Sequence, residues 1–184
     1  MELGIIGLPQ VGKKTVFRLL TEQDPAKAAS KGGIRYGLAP VHDPRIDRLS
    51  EMYKPRKTRY AEFNIALPPD IEPNSSRTAD WLDPLRNVDA YLHVVRVFDS
   101  PRVFHVQGSI DPERDLQLVD TELLLADLDL VEKRLKRIEK EGGKRDRQQE
   151  REKTILERCH QHLENEQSLR TLDLSSEERA SLVH

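Results

Sequence analysis

The sequence has a single cysteine, Cys159, so it holds no internal disulfide and no cysteine-rich metal site. Aromatic residues are scarce, at 5%, and no apolar run approaches the length of a membrane span. The apolar start, Leu3 to Ile6, is also far too short for a secretory signal. Charge of one sign is missing too: 30 Lys and Arg against 32 Asp and Glu leave a net charge of −2, which selects neither nucleic acid nor a membrane surface. These absences predict a soluble protein in a reducing, cytoplasmic setting, without a membrane partner. What is abundant is charge of both signs, 34% of the chain against 36% hydrophobic residues. That is too polar for a compact domain throughout, so 184 residues imply one domain plus a solvated helical appendage.

The most informative stretch runs from Leu3 to Thr15. Leu3 to Ile6 reads as a buried strand, Gly7 to Gly12 as a tight loop, and Val16-Phe17-Arg18-Leu19-Leu20 as a helix. Strand, glycine loop and helix are the setting of a phosphate-binding loop, and Gly7, Gly12 and Lys13 occupy the positions of G-x-x-x-x-G-K-[ST]. Backbone N–H groups in such a loop turn toward a phosphate at the positive end of the helix. Candidate nucleotide-binding residues are therefore Gly7, Pro9, Gln10, Val11, Gly12, Lys13, Lys14 and Thr15. The last motif position departs from the pattern: a hydroxyl that ligates Mg²⁺ is replaced by Lys14, with Thr15 one residue late and turned about 100° around the helix. A second ammonium there is hard to reconcile with Mg²⁺-dependent hydrolysis. The bland alternative is that the two glycines only shape a strand-to-helix turn.

Further along, residues 22–34 read as a mobile loop, Ile34 to Val41 as a strand, and Asp43 to Tyr53 as a helix stopped by Pro55. Tyr60 to Leu67 is a second strand candidate, Pro68 to Thr78 a loop, and Trp81, Leu82 and Leu85 suggest a short helix. Ala90 to Phe98 is the most strand-like run and is expected at the centre of the sheet. About four strands alternating with helices predict a largely parallel but incomplete α/β sheet. After Asp111-Pro112 the character changes. Leu124, Leu128, Val131, Leu135 and Ile138 form a heptad seam, Gly142-Gly143 interrupts it, and Leu156, Cys159 and Leu163 resume it. That pattern describes an antiparallel coiled-coil hairpin, on which Cys159 is core rather than nucleophile. Ser175-Ser176-Glu177-Glu178 is a capping box opening a terminal helix. The expected organisation is an α/β domain over 1–115, a hairpin over 116–166, and a terminal helix, 167–184, returning to the α/β domain.

With these residues in place, the chain resembles the YchF-type, Obg-like ATPases and GTPases. The resemblance is carried by Gly4-Ile5-Ile6-Gly7-Leu8-Pro9-x-Val11-Gly12-Lys13, Asp43-Pro44-Arg45-Ile46-Asp47-Arg48-Leu49, and His93-Val94-Val95-Arg96-Val97-Phe98. Val103-Phe104-His105-Val106-x-Gly108, Asp120-Thr121-Glu122-Leu123-x-Leu125-Ala126-Asp127-Leu128 and Leu169-Arg170-x-Leu172-Asp173-Leu174-Ser175 continue it in the same order. It implies a partial Ras-like P-loop domain with a coiled-coil insertion, binding GTP or ATP, and it makes His105 the candidate catalytic residue that positions the attacking water. The segment that distinguishes the two bases in the family lies beyond His184.

The departures from the family are concentrated on one function. Asn64-Ile65-Ala66-Leu67 stands where the family has Asp-x-x-Gly, Lys14 stands at the metal-ligating hydroxyl, and neither switch segment finds its counterpart. Mg²⁺ is therefore doubtful and hydrolysis is expected to be impaired or absent; no metal ligands are assigned. The alternative is a pseudo-GTPase scaffold that docks on a ribosomal, RNA or protein partner through the hairpin. Lys136, Arg137, Lys140, Lys144, Arg145, Arg147, Arg151 and Lys153 gather near the hairpin tip, diluted by Glu139, Glu141, Asp146, Glu150 and Glu152. An incomplete sheet also predicts an exposed edge that favours dimerisation.

Overall fold

A computed structural model of the chain describes residues 1–70, 82, 85–140 and 147–182. It divides into two compact units, Met1–Leu116 and Gln117–His184.

The first unit is built on a five-stranded sheet. β1 (Glu2–Ile6) lies between β4 (Ala61–Leu67) and β5 (Ala90–His93) and runs parallel to both. β3 (Ile34–Val41) pairs antiparallel with β4, and β2 (Ala29–Lys31) antiparallel with β3, so the order is β2-β3-β4-β1-β5. All strands but β3 thus point the same way, the mixed but mostly parallel arrangement expected of a partial Ras-like P-loop domain. One face is covered by α1 (Lys13–Thr21), whose Phe17 is fully buried among Ile5, Ala39, Ile65 and Leu67. Burial of a Phe on this scale contributes about 1.5–3 kcal/mol.

Gly37 of β3 lets α1 come this close: an added Cβ would lie 2.7 Å from Thr21 Cγ2 and 2.9 Å from Phe17 Cζ. Gly37→Ala is expected to cost about 1–3 kcal/mol through overpacking. A urea midpoint equal to that of the parent chain would show that α1 shifts freely.

The sheet departs from the sequence-based expectation at two places. The stretch 22–34 is not all loop, because Ala29–Lys31 pairs with Ile34–Tyr36 as a two-stranded extension that a short polar run does not announce. Ala90–Phe98 is not a central strand: pairing stops at His93, and β5 is the outer strand of the sheet as described. After the Val94 N–H to Ile6 oxygen bond at 2.9 Å the chain leaves the ladder, and Val97 and Phe98 are exposed. An apolar run marks burial on both faces only where a strand has neighbours on both sides. The proposed short helix at Trp81 lies mostly outside the described residues, although Leu82 and Leu85 are buried.

The second unit is a helical hairpin. α3 (Pro112–Lys140) enters it from the first unit, and α4 (Arg147–Glu164) returns. The predicted seam is its core: Val131, Ile138, Ile155, Leu156, Cys159 and Leu163 are buried, with Leu124, Leu128 and Leu135 packed against them. Arg134 joins Glu152 by two hydrogen bonds of 2.5 and 2.8 Å, and Glu132 faces His160, so the helices run in opposite directions. Gly142-Gly143 lies outside the described residues. Ser175 caps α5 (Ser176–Ser181) in the expected box with Glu178. Leu169, Leu172, Leu174 and Leu182 of the terminal segment pack against the hairpin cluster, which offers them an apolar face close in sequence.

Candidate phosphate-binding site

The loop between Ile6 and Lys13 depends on three positive-φ residues: Gly7 at 140°, Gln10 at 62° and Gly12 at 112°. Gly7 is required by contact as well as by angle, because a Cβ there would sit 2.3 Å from the Val94 backbone oxygen on β5's continuation. Gly12 differs: nothing lies within 4 Å of the space a Cβ would take. It is the N-terminal cap of α1 and supplies no side-chain acceptor, so the helix's first N–H groups are left for an external anion. Val11 is buried, Pro9 half-buried, and Gln10, Lys14 and Thr15 are exposed.

Lys13 is 4% exposed and folds over the loop. Its Nζ donates to the Gly7 oxygen at 2.8 Å and the Leu8 oxygen at 2.6 Å, and lies 2.9 Å from Asp70 Oδ1. Lys14 Nζ is 3.8 Å from the other carboxylate oxygen. Burial pushes the Lys13 pKa down, with the bond to Asp70 opposing it. Burial pushes Asp70 up, but Lys13 and then Lys14 outweigh it and hold the carboxyl below its usual range.

Asp70 was missed in the sequence, where it sits in Pro68-Pro69-Asp70 and belongs to no motif. The available signal was topological: it follows a strand parallel to β1, and the carboxyl ends of parallel strands are where ligand-contacting residues gather.

The groups gathered at this loop suit a phosphate but do not fit Mg²⁺. Lys14 occupies the hydroxyl position, and Asn64 sits three residues before the end of β4 beside Glu2. Leu67 at the glycine position is a core residue at 2% exposure. The carboxylate that does reach the loop, Asp70, is bound to two ammonium groups. Among the described residues no cluster of three or more His, Cys, Asp or Glu could hold a metal.

His105, the candidate catalytic residue, is buried. Its Nδ1 accepts the Gln107 N–H at 3.2 Å, which places the ring proton on Nε2. Nε2 lies 2.8 Å from Asp115 Oδ2, off the line of a well-formed hydrogen bond, so the contact is mainly electrostatic. The other Asp115 oxygen accepts from Arg114 Nε and Nη2, at 3.1 and 2.8 Å. The loop before His105 is fixed by Arg96, 2% exposed, which donates to the backbone oxygens of Phe98, Val103 and Phe104.

No family model matches the chain. It is 36% identical to the ribosome-binding ATPase YchF of Escherichia coli O157:H7, over 97% of this chain and 51% of the relative. The ribosome-binding ATPase YchF of Bacillus subtilis is 33% identical over 96% and 50%. Among solved structures, the Schizosaccharomyces pombe YchF GTPase superposes with a TM-score of 0.74 at 31% identity, over 99% of this chain and 52% of that one. This chain belongs to the YchF family. It spans about half the length of the YchF relatives it matches. The loop of this YchF-family chain has both glycines and the lysine of the phosphate-loop pattern, with the Asp70 carboxylate against that lysine.

Proposed function

We propose that the chain binds the phosphates of a purine nucleotide, GTP or ATP, at Gly7 to Thr15, without a conventional Mg²⁺ site and with impaired hydrolysis. The observation that carries this reading is the open, uncapped start of α1 at Gly12, beside a lysine already fixed over the loop. Lys13 and Lys14 supply the positive charge that a metal would otherwise share. His105 contributes differently from the expectation: with one ring nitrogen on Gln107 and the other facing Asp115, it holds its loop, and water activation at His105 requires that pair to open. The names of the relatives support association with the ribosome. The pairing of Asp70 with both lysines favours the second reading, a scaffold whose loop is structural. The outer strand β5 supports self-association, which sedimentation would read; a monomer would remove that part of the proposal.

Calorimetric titration of ATP, GTP and their diphosphates, with Mg²⁺ and with EDTA, tests the first reading. Metal-independent binding is expected, weakened about 10-fold or more in Lys13→Ala through loss of charge-assisted hydrogen bonds. Absence of binding in both media would overturn it and leave the scaffold.

A further inference from the structure

Residues 52–60 contain Lys54, Arg56, Lys57 and Arg59 and no acidic residue. All four cations are exposed, and none forms an ion pair among the described residues. They follow α2 (Pro44–Tyr53), a helix with no buried residue, on which Leu49, Met52 and Tyr53 are 53%, 65% and 75% exposed. The basic segment is nonetheless ordered. Lys54 turns the chain at φ 45°, its N–H returning to the Ser50 oxygen at 2.9 Å. Ser50 Oγ and Thr58 Oγ1 are 2.6 Å apart, the Tyr60 hydroxyl donates to Asp47, and the Tyr60 ring lies 4.9 Å from that of His42. Between α2 and this returning segment lies a hollow of about 430 Å³, reached by Leu49, Tyr53, Pro55, Lys57 and Arg59.

We propose that this surface binds single-stranded RNA, its cations contacting phosphates and Tyr53 stacking on a base. Charge complementarity selects a polyanion, and an exposed aromatic beside a hollow adds what an extended, unpaired strand offers and a duplex does not. The hairpin is the poorer candidate. α3 and α4 together carry ten basic and twelve acidic residues. Several of their cations are also engaged: Lys133 on Asp129 at 2.6 Å, Lys136 on Glu132 at 2.7 Å, and Arg134 on Glu152.

The test is fluorescence anisotropy of a labelled oligouridylate with the whole chain, in the absence of nucleotide, so that failure leaves the phosphate-loop reading standing. Four phosphate contacts predict that affinity falls roughly 50-fold between about 50 and 200 mM salt. The combined Arg56→Ala, Lys57→Ala, Arg59→Ala variant is expected to lose about three quarters of that salt dependence. Tyr53→Ala is expected to weaken binding roughly tenfold at every salt concentration. Three results would overturn the proposal: no salt-dependent binding by the parent chain, loss of binding on replacing Lys133, Lys136 and Lys140 instead, or competition by polyglutamate as effective as by RNA. The last requires no variant and would identify an acidic protein segment as the occupant.

Discussion

Asp70→Asn is expected to tighten nucleotide binding by about tenfold, the gain coming from removal of an internal competitor. In the folded chain the Asp70 carboxylate sits where it neutralises Lys13 at 2.9 Å and approaches Lys14 at 3.8 Å. A nucleotide phosphate must displace it or bind beside its negative charge. The carboxylate is 43% exposed and Lys14 64%, so solvent screening keeps the effect near the lower end for a charge-assisted bond. The same variant carries a pH signature. Lys13 is cationic only below its lowered pKa, and Asp70 is one of the groups that raise it. Phosphate binding should therefore weaken as pH rises, and the weakening should begin at lower pH in Asp70→Asn than in the parent. Titration calorimetry across alkaline pH reads both effects. Weaker binding by the variant would mean that Asp70 holds Lys13 in its working position; loss of a Mg²⁺-dependent component would make it a metal ligand.

Gly7→Ala is expected to cost about 3–5 kcal/mol, a large share of the stability of a small domain. The φ of 140° is unfavourable for any L side chain, and the added methyl meets the Val94 backbone oxygen at 2.3 Å. A backbone atom cannot rotate away as a side chain does, so β1 or the chain after β5 must shift. Gly12→Ala makes the informative control. Its φ of 112° is strained, but the space beside it is open, so it is expected to cost about 1–3 kcal/mol and to place its methyl where a phosphate would sit. Urea unfolding distinguishes the two. Equal losses would show that the Val94 contact relaxes and that backbone strain alone makes both glycines necessary.

Much of this molecule was legible one residue at a time. The loop announced itself because its chemistry demands glycine and lysine at fixed spacing. The hairpin did so because Leu124 to Ile138 and Leu156 to Leu163 repeat with the helix, and local periodicity survives whatever the helix packs against. Asp43 and Ser175 marked helix starts for the same reason: a cap bonds its own neighbours, Arg45 and Glu178. Family membership followed from the collinear order of such segments.

What escaped the sequence lies between distant residues. The edge position of β5 depends on which strands stand beside it, not on the apolar run Ala90–Phe98. Asp70 became part of the loop's electrostatics only when a parallel strand delivered it to Lys13, 57 positions away in the chain. His105 lies buried against Asp115, and the loop before it is held by Arg96, neither of which is adjacent to it in the chain. The exposed face of α2 shows the same division. Ile46, Leu49, Met52 and Tyr53 have the spacing of a buried stripe, yet the helix has no buried residue. Periodicity decides which residues share a face, because that is set by the helix's own geometry; whether another element covers the face is decided by long-range packing, which no local pattern encodes.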